Sequence, residues 1–223
     1  MRNGRGRLTT GTMRYDMSEM PAPERYKLMV NTITPRPIAW VVTVDASGTR
    51  NAAPFSCFNA MVSEPPLLAF GIGSDSVRPG VTMKDTLRAI RETGEFTISM
   101  VDEANLEAMN VTATNAPPGV DEIELAGLEC AASTHVKPPY IASAPAAFEC
   151  RVWQLIEPAP NSAIVLGEVL AVHMEDRLIG DENGRLRIDS PAMKLVGRTH
   201  GAGWYVGNAD SRQIDRKTWP LKE

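Results

Sequence analysis

A chain of 223 residues with a formal net charge of −4 is long enough to bury a substantial core without staples. Its mild acidity and lack of a basic run argue against nucleic acid as the main partner, and no apolar run approaches the roughly 20 residues that span a bilayer. Cys57, Cys130 and Cys150 are widely spaced, with no C-x-x-C pair, which argues against a metal site or a disulfide framework and predicts a cytoplasmic location.

In chain order, residues 1–12 are rich in Arg, Gly and Thr but have no apolar segment, so they are not a secretory signal. Residues 1–14 are expected to form a disordered tail, with Met13 as an alternative start. Residues 38–44 read as a strand, and Asp45-Ala46-Ser47-Gly48 is turn chemistry that closes a hairpin. The chain then enters Asn51-Ala52-Ala53-Pro54-Phe55-Ser56-Cys57-Phe58. Proline cannot donate to a sheet ladder, so Pro54 marks a bulge or an edge. The small residues beside it leave backbone N–H groups open to close approach by a flat ligand.

Residues 67–71 and 96–101 are further short strands. Between them Met83, Leu87, Ala89 and Ile90 set a helical pattern that Gly94 ends. A second amphipathic stretch spans 104–111, and Asn115-Ala116-Pro117-Pro118-Gly119 breaks it as a surface loop. Residues 147–156 and 163–174 predict two long strands joined by a turn at 158–162. Asp181-Glu182-Asn183-Gly184 is another turn, before 185–188. There is no internal repeat and no linker long enough to demand two domains, so the class is mainly β, within α+β.

Few residues stand out chemically. Thr82 and Asp85 are spaced like a capping pair, which predicts a helix N-terminus with outward N–H groups. Such a start favours an anion, with Lys84 as cation and the Thr86 hydroxyl as donor; an ordinary capped surface helix fits the same pattern. Arg36 and Arg78 are further anion candidates, each also readable as a solvated surface charge. Cys57 lacks a neighbouring cation to activate its thiol and is expected to be a buried structural cysteine. His173 follows an alternating strand, where a structural histidine is the ordinary reading. No Ser-His-Asp order or metal spacing occurs. No G-x-G-x-x-G fingerprint occurs either, so a nicotinamide would bind only transiently.

The segments Pro35-Arg36-Pro37-Ile38, Asn51-x-Ala53-Pro54-Phe55-Ser56-x-Phe58 and Glu64-Pro65-Pro66 are followed in order by Lys84-Asp85-Thr86, Gly94-Glu95-Phe96, Phe148-Glu149-Cys150 and Gly167-Glu168-Val169 with His173. This series resembles the flavin reductase-like family, the FMN-binding split barrels. The resemblance covers residues 15–206 and leaves 207–223 as a C-terminal extension. It departs at Arg198-Thr199-His200-Gly201, where the family more often has an apolar residue and paired glycines.

The resemblance implies an antiparallel Greek-key split β-barrel with a few peripheral helices, assembled as a homodimer. It implies an NAD(P)H-dependent flavin reductase that passes hydride from nicotinamide to flavin N5. The electrons would go on to free flavin, oxygen, a partner oxygenase or a redox protein. The alternative is a flavoredoxin-like electron carrier with tightly bound FMN, and FAD is the alternative cofactor. The phosphate would sit at Lys84, Asp85 and Thr86, with Arg36 in support. The ring edge would lie along Asn51, Ala53, Pro54, Phe55, Ser56, Cys57 and Phe58, with backbone N–H groups at Ser56, Cys57 and Phe58 donating to N5 and O4. The Thr43 hydroxyl would reach the same pocket. One of Trp40, Phe55, Phe58 and Trp204 would cover the ring. His173 is the catalytic candidate, at the nicotinamide.

Overall fold

The computed structural model describes residues 5–7, 11–208 and 211. It opens with β1 (Arg5–Arg7) paired antiparallel with β2 (Met13–Tyr15), followed by α1 (Ala22–Thr32) and the short β3 (Arg36–Pro37). Composition predicts disorder for 1–14, yet part of this stretch forms a ladder, because backbone pairing needs no apolar side chains. Residues 1–4 and 8–10 of the expected tail lie outside the described residues, as does most of the 207–223 extension.

The next strands are β4 (Ala39–Val44), β5 (Arg50–Phe55), β6 (Phe58–Ser63) and β7 (Pro66–Ile72). Helix α2 (Asp85–Thr93) leads to β8 (Glu95–Met100), and α3 (Leu106–Thr112) and α4 (Glu122–Leu125) follow. A small pair, β9 (Cys130–Ala131) and β10 (Tyr140–Ile141), precedes the long β11 (Ala146–Ala159) and β12 (Ser162–Met174). The chain closes with the hairpin β13 (Ile179–Glu182) and β14 (Arg185–Ile188), then β15 (Val196–Arg198) and β16 (Tyr205–Gly207).

The main sheet has seven antiparallel strands in the order β5-β4-β8-β11-β12-β7-β6. Its two edge strands, β5 and β6, are consecutive in the chain and joined only by Ser56-Cys57. The sheet must therefore roll until its edges meet at that dipeptide, and the product is the split barrel. Turns sit where their residue types require. Asp45 Oδ1 accepts from the N–H groups of Ser47 and Thr49, both at 2.9 Å, in the β4–β5 turn. Gly94 ends α2 with φ of 70°, a conformation that glycine takes without strain.

Strand β4 reads as a continuous apolar run because both its faces are covered. Ala39 and Val41 point into the barrel with Phe70, Phe96 and Ile98, and Leu87 and Ile90 of α2 plug that interior. Trp40 and Val42 point outward into a second core with Met109 of α3 and Ile123 of α4. The buried Trp40 indole donates to Thr112 Oγ1 at 2.9 Å, which fixes α3 against the barrel wall. Packing is tight at Gly167, where a Cβ would meet Phe96 Cζ at 2.4 Å. Phe96 is fully buried and has nowhere to go. Gly167→Ala should cost about 1–3 kcal/mol by overpacking, and a thermal midpoint equal to the parent's would contradict this packing.

Candidate functional site

The place where the barrel is split is also where it is open. A cleft of about 880 Å³ is lined on one side by Asn51, Ala53, Pro54, Phe55, Ser56 and Cys57, and on the other by the 73–86 loop and helix start. Residues 112–116 and Glu122 close its end. Cys57 C=O accepts from the Gly71 N–H at 2.8 Å. Among the described residues, the N–H groups of Ser56 and Cys57 have no protein partner. Leaving the ladder at Phe55 exposes two adjacent backbone donors, because both edge strands have ended there. Cys57, expected to be buried, is exposed; the crossing between edges leaves nothing to cover it.

Helix α2 supplies the opposite wall. Its N-cap is Lys84, with no side-chain cap, so Thr82 does not cap it and the expected capping pair is corrected. The first N–H groups of α2 therefore have no side-chain acceptor, and they carry the positive end of the helix dipole. The Lys84 ammonium forms no ion pair or hydrogen bond among the described residues, and the residue lines the cleft. Thr86 Oγ1 accepts from Asn51 Nδ2 at 2.9 Å, which locks the helix start to β5. The Asp85 carboxylate is held by Arg78 and by Arg88, the latter at 2.7 Å.

Arg78 also donates to Asp75 Oδ2 at 2.6 Å and to the Ala116 carbonyl at 3.1 Å. Burial alone would raise the Asp75 pKa. The N–H groups of Arg78 and Val77 and the Arg78 guanidinium outweigh it and bring the pKa down to about 2. The loop is thus pinned by charge, and Lys84 is left as the uncommitted cation of this wall.

Glu122 lines the same end of the cleft. Its Oε2 accepts from the Ala52 N–H at 3.1 Å, and burial pushes its pKa above the ordinary carboxylate value. Ser74, Ser76 and Asn115 also line the cleft, and the sequence marks none of them as a site residue. No periodicity marks them; they arrive by loop geometry alone.

Ten of the expected site residues line this one cleft: Asn51, Ala53, Pro54, Phe55, Ser56, Cys57, Arg78, Lys84, Asp85 and Thr86. The others are placed elsewhere. Thr43 lies inside the barrel, fully buried with its hydroxyl unpartnered among the described residues, because odd positions of β4 face inward. Phe58 packs against the barrel core. Trp40 is buried beneath α3, and Trp204 is exposed and stacked on His200, so Phe55 is the one aromatic of the four on the cleft wall. Arg36 lines an adjoining pocket. His173 is absent from the lining of both. Its Nε2 lies 2.6 Å from Glu149 Oε1 and its ring stacks on Tyr140 at 4.3 Å.

Known proteins share this fold. Residues 31–187 match the flavin reductase like domain, and the chain belongs to that family. A Deinococcus radiodurans protein described as uncharacterized is 39% identical over 209 residues, covering 92% of this chain and 90% of its own. Among solved structures, Pseudomonas fluorescens 2-nitrobenzoate 2-nitroreductase superposes with a TM-score of 0.82 at 30% identity, covering 94% of this chain and 98% of that one. Nitrilotriacetate monooxygenase component B from Bacillus cereus gives 0.81 at 29% identity, covering 91% and 98%.

Proposed function

We propose that the cleft holds FMN and that the protein is an NAD(P)H-dependent flavin reductase. The observation that carries this reading is the pair of unpartnered N–H donors at Ser56 and Cys57, facing an uncapped helix start across one cleft. Donors at one end suit the polar edge of a flat ring, and a helix N-terminus with a free lysine at the other suits a phosphate. Bound FMN supplies an N5 that accepts hydride and releases electrons singly or in pairs. The chain's own part is to bind and orient. Lys84, Thr86 and the α2 N–H groups would hold the phosphate. The Ser56 and Cys57 N–H groups would donate to the ring's polar edge, where electron density rises on reduction, and so favour the reduced form. Phe55 supplies apolar cover. Alignment rather than proton transfer sets the rate, which accounts for a cleft without a nucleophile–base pair.

The electrons pass to free flavin, oxygen or a partner oxygenase; the similar Bacillus cereus protein is itself a monooxygenase component. Met61, Val62, Trp153 and Ile164 of the main sheet are exposed, apolar surface suited to a second copy of the chain in a homodimer.

Anaerobic mixing of the FMN-loaded protein with NADH or NADPH tests the activity. Bleaching within a turnover time is expected; tight FMN that neither nucleotide reduces would instead identify an electron carrier. Lys84→Ala should weaken FMN by about 1.5–3 kcal/mol, roughly tenfold to a hundredfold, and Thr86→Ala by about 0.5–1.5 kcal/mol. Parent-like affinity in both variants would remove the phosphate from α2.

A further inference from the structure

A second pocket, of about 650 Å³, adjoins the cleft and shares Tyr26, Pro54, Ser56 and Ala113 with it. Its charged lining is Lys27, Arg36 and Arg198, with no carboxylate. Arg36 of β3 and Arg198 of β15 are direct cross-strand partners. Like charges in that position repel, and a fold normally inserts an acid between them. Here none is present: among the described residues Lys27, Arg36 and Arg198 form no ion pair.

Their hydrogen bonds go to neutral oxygens. Arg36 is 7% exposed and donates to the carbonyls of Val30, Ile33 and Thr199 and to Ser56 Oγ. Val30 and Ile33 lie at the C-terminal end of α1, whose dipole offsets only about half a charge. Arg198 donates to the Tyr205 hydroxyl at 2.6 Å and lies 4.8 Å from its ring centroid. The Gly201 loop beside it is fastened to α1 by Asn31 Oδ1, which accepts from the Gly201 N–H at 3.0 Å. A buried guanidinium without a counter-ion, as at Arg36, is costly, and the half-buried Arg198 paired with it across the ladder adds a second like charge. The arrangement is held by a fixed scaffold, with its positive charge met only by neutral oxygens.

We infer that this pocket is the subsite for an anionic group, carboxylate or phosphate, on the second substrate of the flavin site. The inference deepens the flavin-reductase reading and rests on it for the meaning of the shared wall. Ser56 lines both the cleft and the pocket, and its hydroxyl accepts from Arg36 Nε at 3.4 Å. A substrate anchored at Arg36 and Arg198 would thus lie directly against the ring edge. Two sources present this chemistry: the extra ribose phosphate that distinguishes NADPH from NADH, and the carboxylate of an aromatic acid acceptor.

Calorimetric titration with benzoate and with adenosine 2′-phosphate, each on flavin-free and FMN-loaded protein, tests the assignment and separates the sources. At least one probe should bind, more weakly as salt rises, and Arg198→Ala should lower its affinity at least tenfold. Arg36→Lys keeps the charge but loses the fork and should weaken the same probe. Fold is checked by thermal midpoint, and Lys27→Ala, at an exposed position, serves as the variant least able to unfold. It should weaken binding about threefold. Binding of neither probe, or binding unchanged by Arg198→Ala and Lys27→Ala, would overturn the inference. FMN titrated separately reports on the flavin reading alone, since the flavin-free arm reads the anion pocket without it.

Discussion

Cys57→Pro is expected to lower FMN affinity about a hundredfold, or about 3 kcal/mol, while the barrel stays folded. The Cys57 N–H has no protein partner among the described residues, so its removal costs the fold no hydrogen bond. It does remove a donor that a buried ring acceptor would need, and it constrains Ser56 as the residue before proline. Circular dichroism and the thermal midpoint establish folding, and flavin fluorescence quenching reads affinity. Cys57→Ser is the counterpart and should bind and reduce FMN like the parent, because an exposed thiol with no adjacent cation has no assigned chemistry. Loss of reduction in Cys57→Ser with FMN still bound would make the thiol catalytic.

Glu149→Ala should be the most destabilising single change, at about 3 kcal/mol or more. Glu149 is fully buried. It accepts from Thr134 N–H at 2.9 Å, Thr134 Oγ1 at 3.0 Å, His135 N–H at 2.6 Å and His173 Nε2 at 2.6 Å. Alanine would strand all four donors. For a chain of this size the midpoint should fall by about 6–12 °C.

Burial alone would raise the Glu149 pKa from 4.5, but the Thr134 N–H, His173, the His135 N–H and the Thr134 hydroxyl together hold it at about 2. A folded-state pKa below the unfolded one means stability that is present at neutral pH. It is lost as pH falls from 4.5 through about 2. Glu149→Gln should therefore trail the parent at pH 7 and approach it in acid. FMN affinity should not move in either variant, since Glu149 and His173 lie outside the cleft lining. If Glu149→Ala instead kept its midpoint and lost only hydride transfer, the His173–Glu149 pair would belong to the chemistry.

Much of the fold was legible in the chain. The β4–β5 turn, the α2 pattern ended by Gly94 and the long β11–β12 pair all stand where local residue chemistry predicts them. In each case the determinant is local: turn residues, helical spacing or alternation. The stretch from Asn51 to Phe58 was likewise readable as unusual, because proline and small residues in a strand need no partner to be conspicuous.

What the sequence alone determined was the set of elements and the identity of one cleft wall. The facing wall depends on contacts between residues far apart in the chain, and only the tertiary structure decided it. Lys84 is readable in the chain as the cation of a helix start, but only the structure shows Asp75 and Asp85 consuming the charge of Arg78 and leaving Lys84 uncommitted. Thr43 looks like a reaching hydroxyl until the roll of the sheet turns it inward. Arg36 and Arg198 stand more than a hundred and sixty positions apart, and neither position hints at the other. Their unneutralised charges become a feature only when β3 and β15 pair, because electrostatics acts through space and not along the chain.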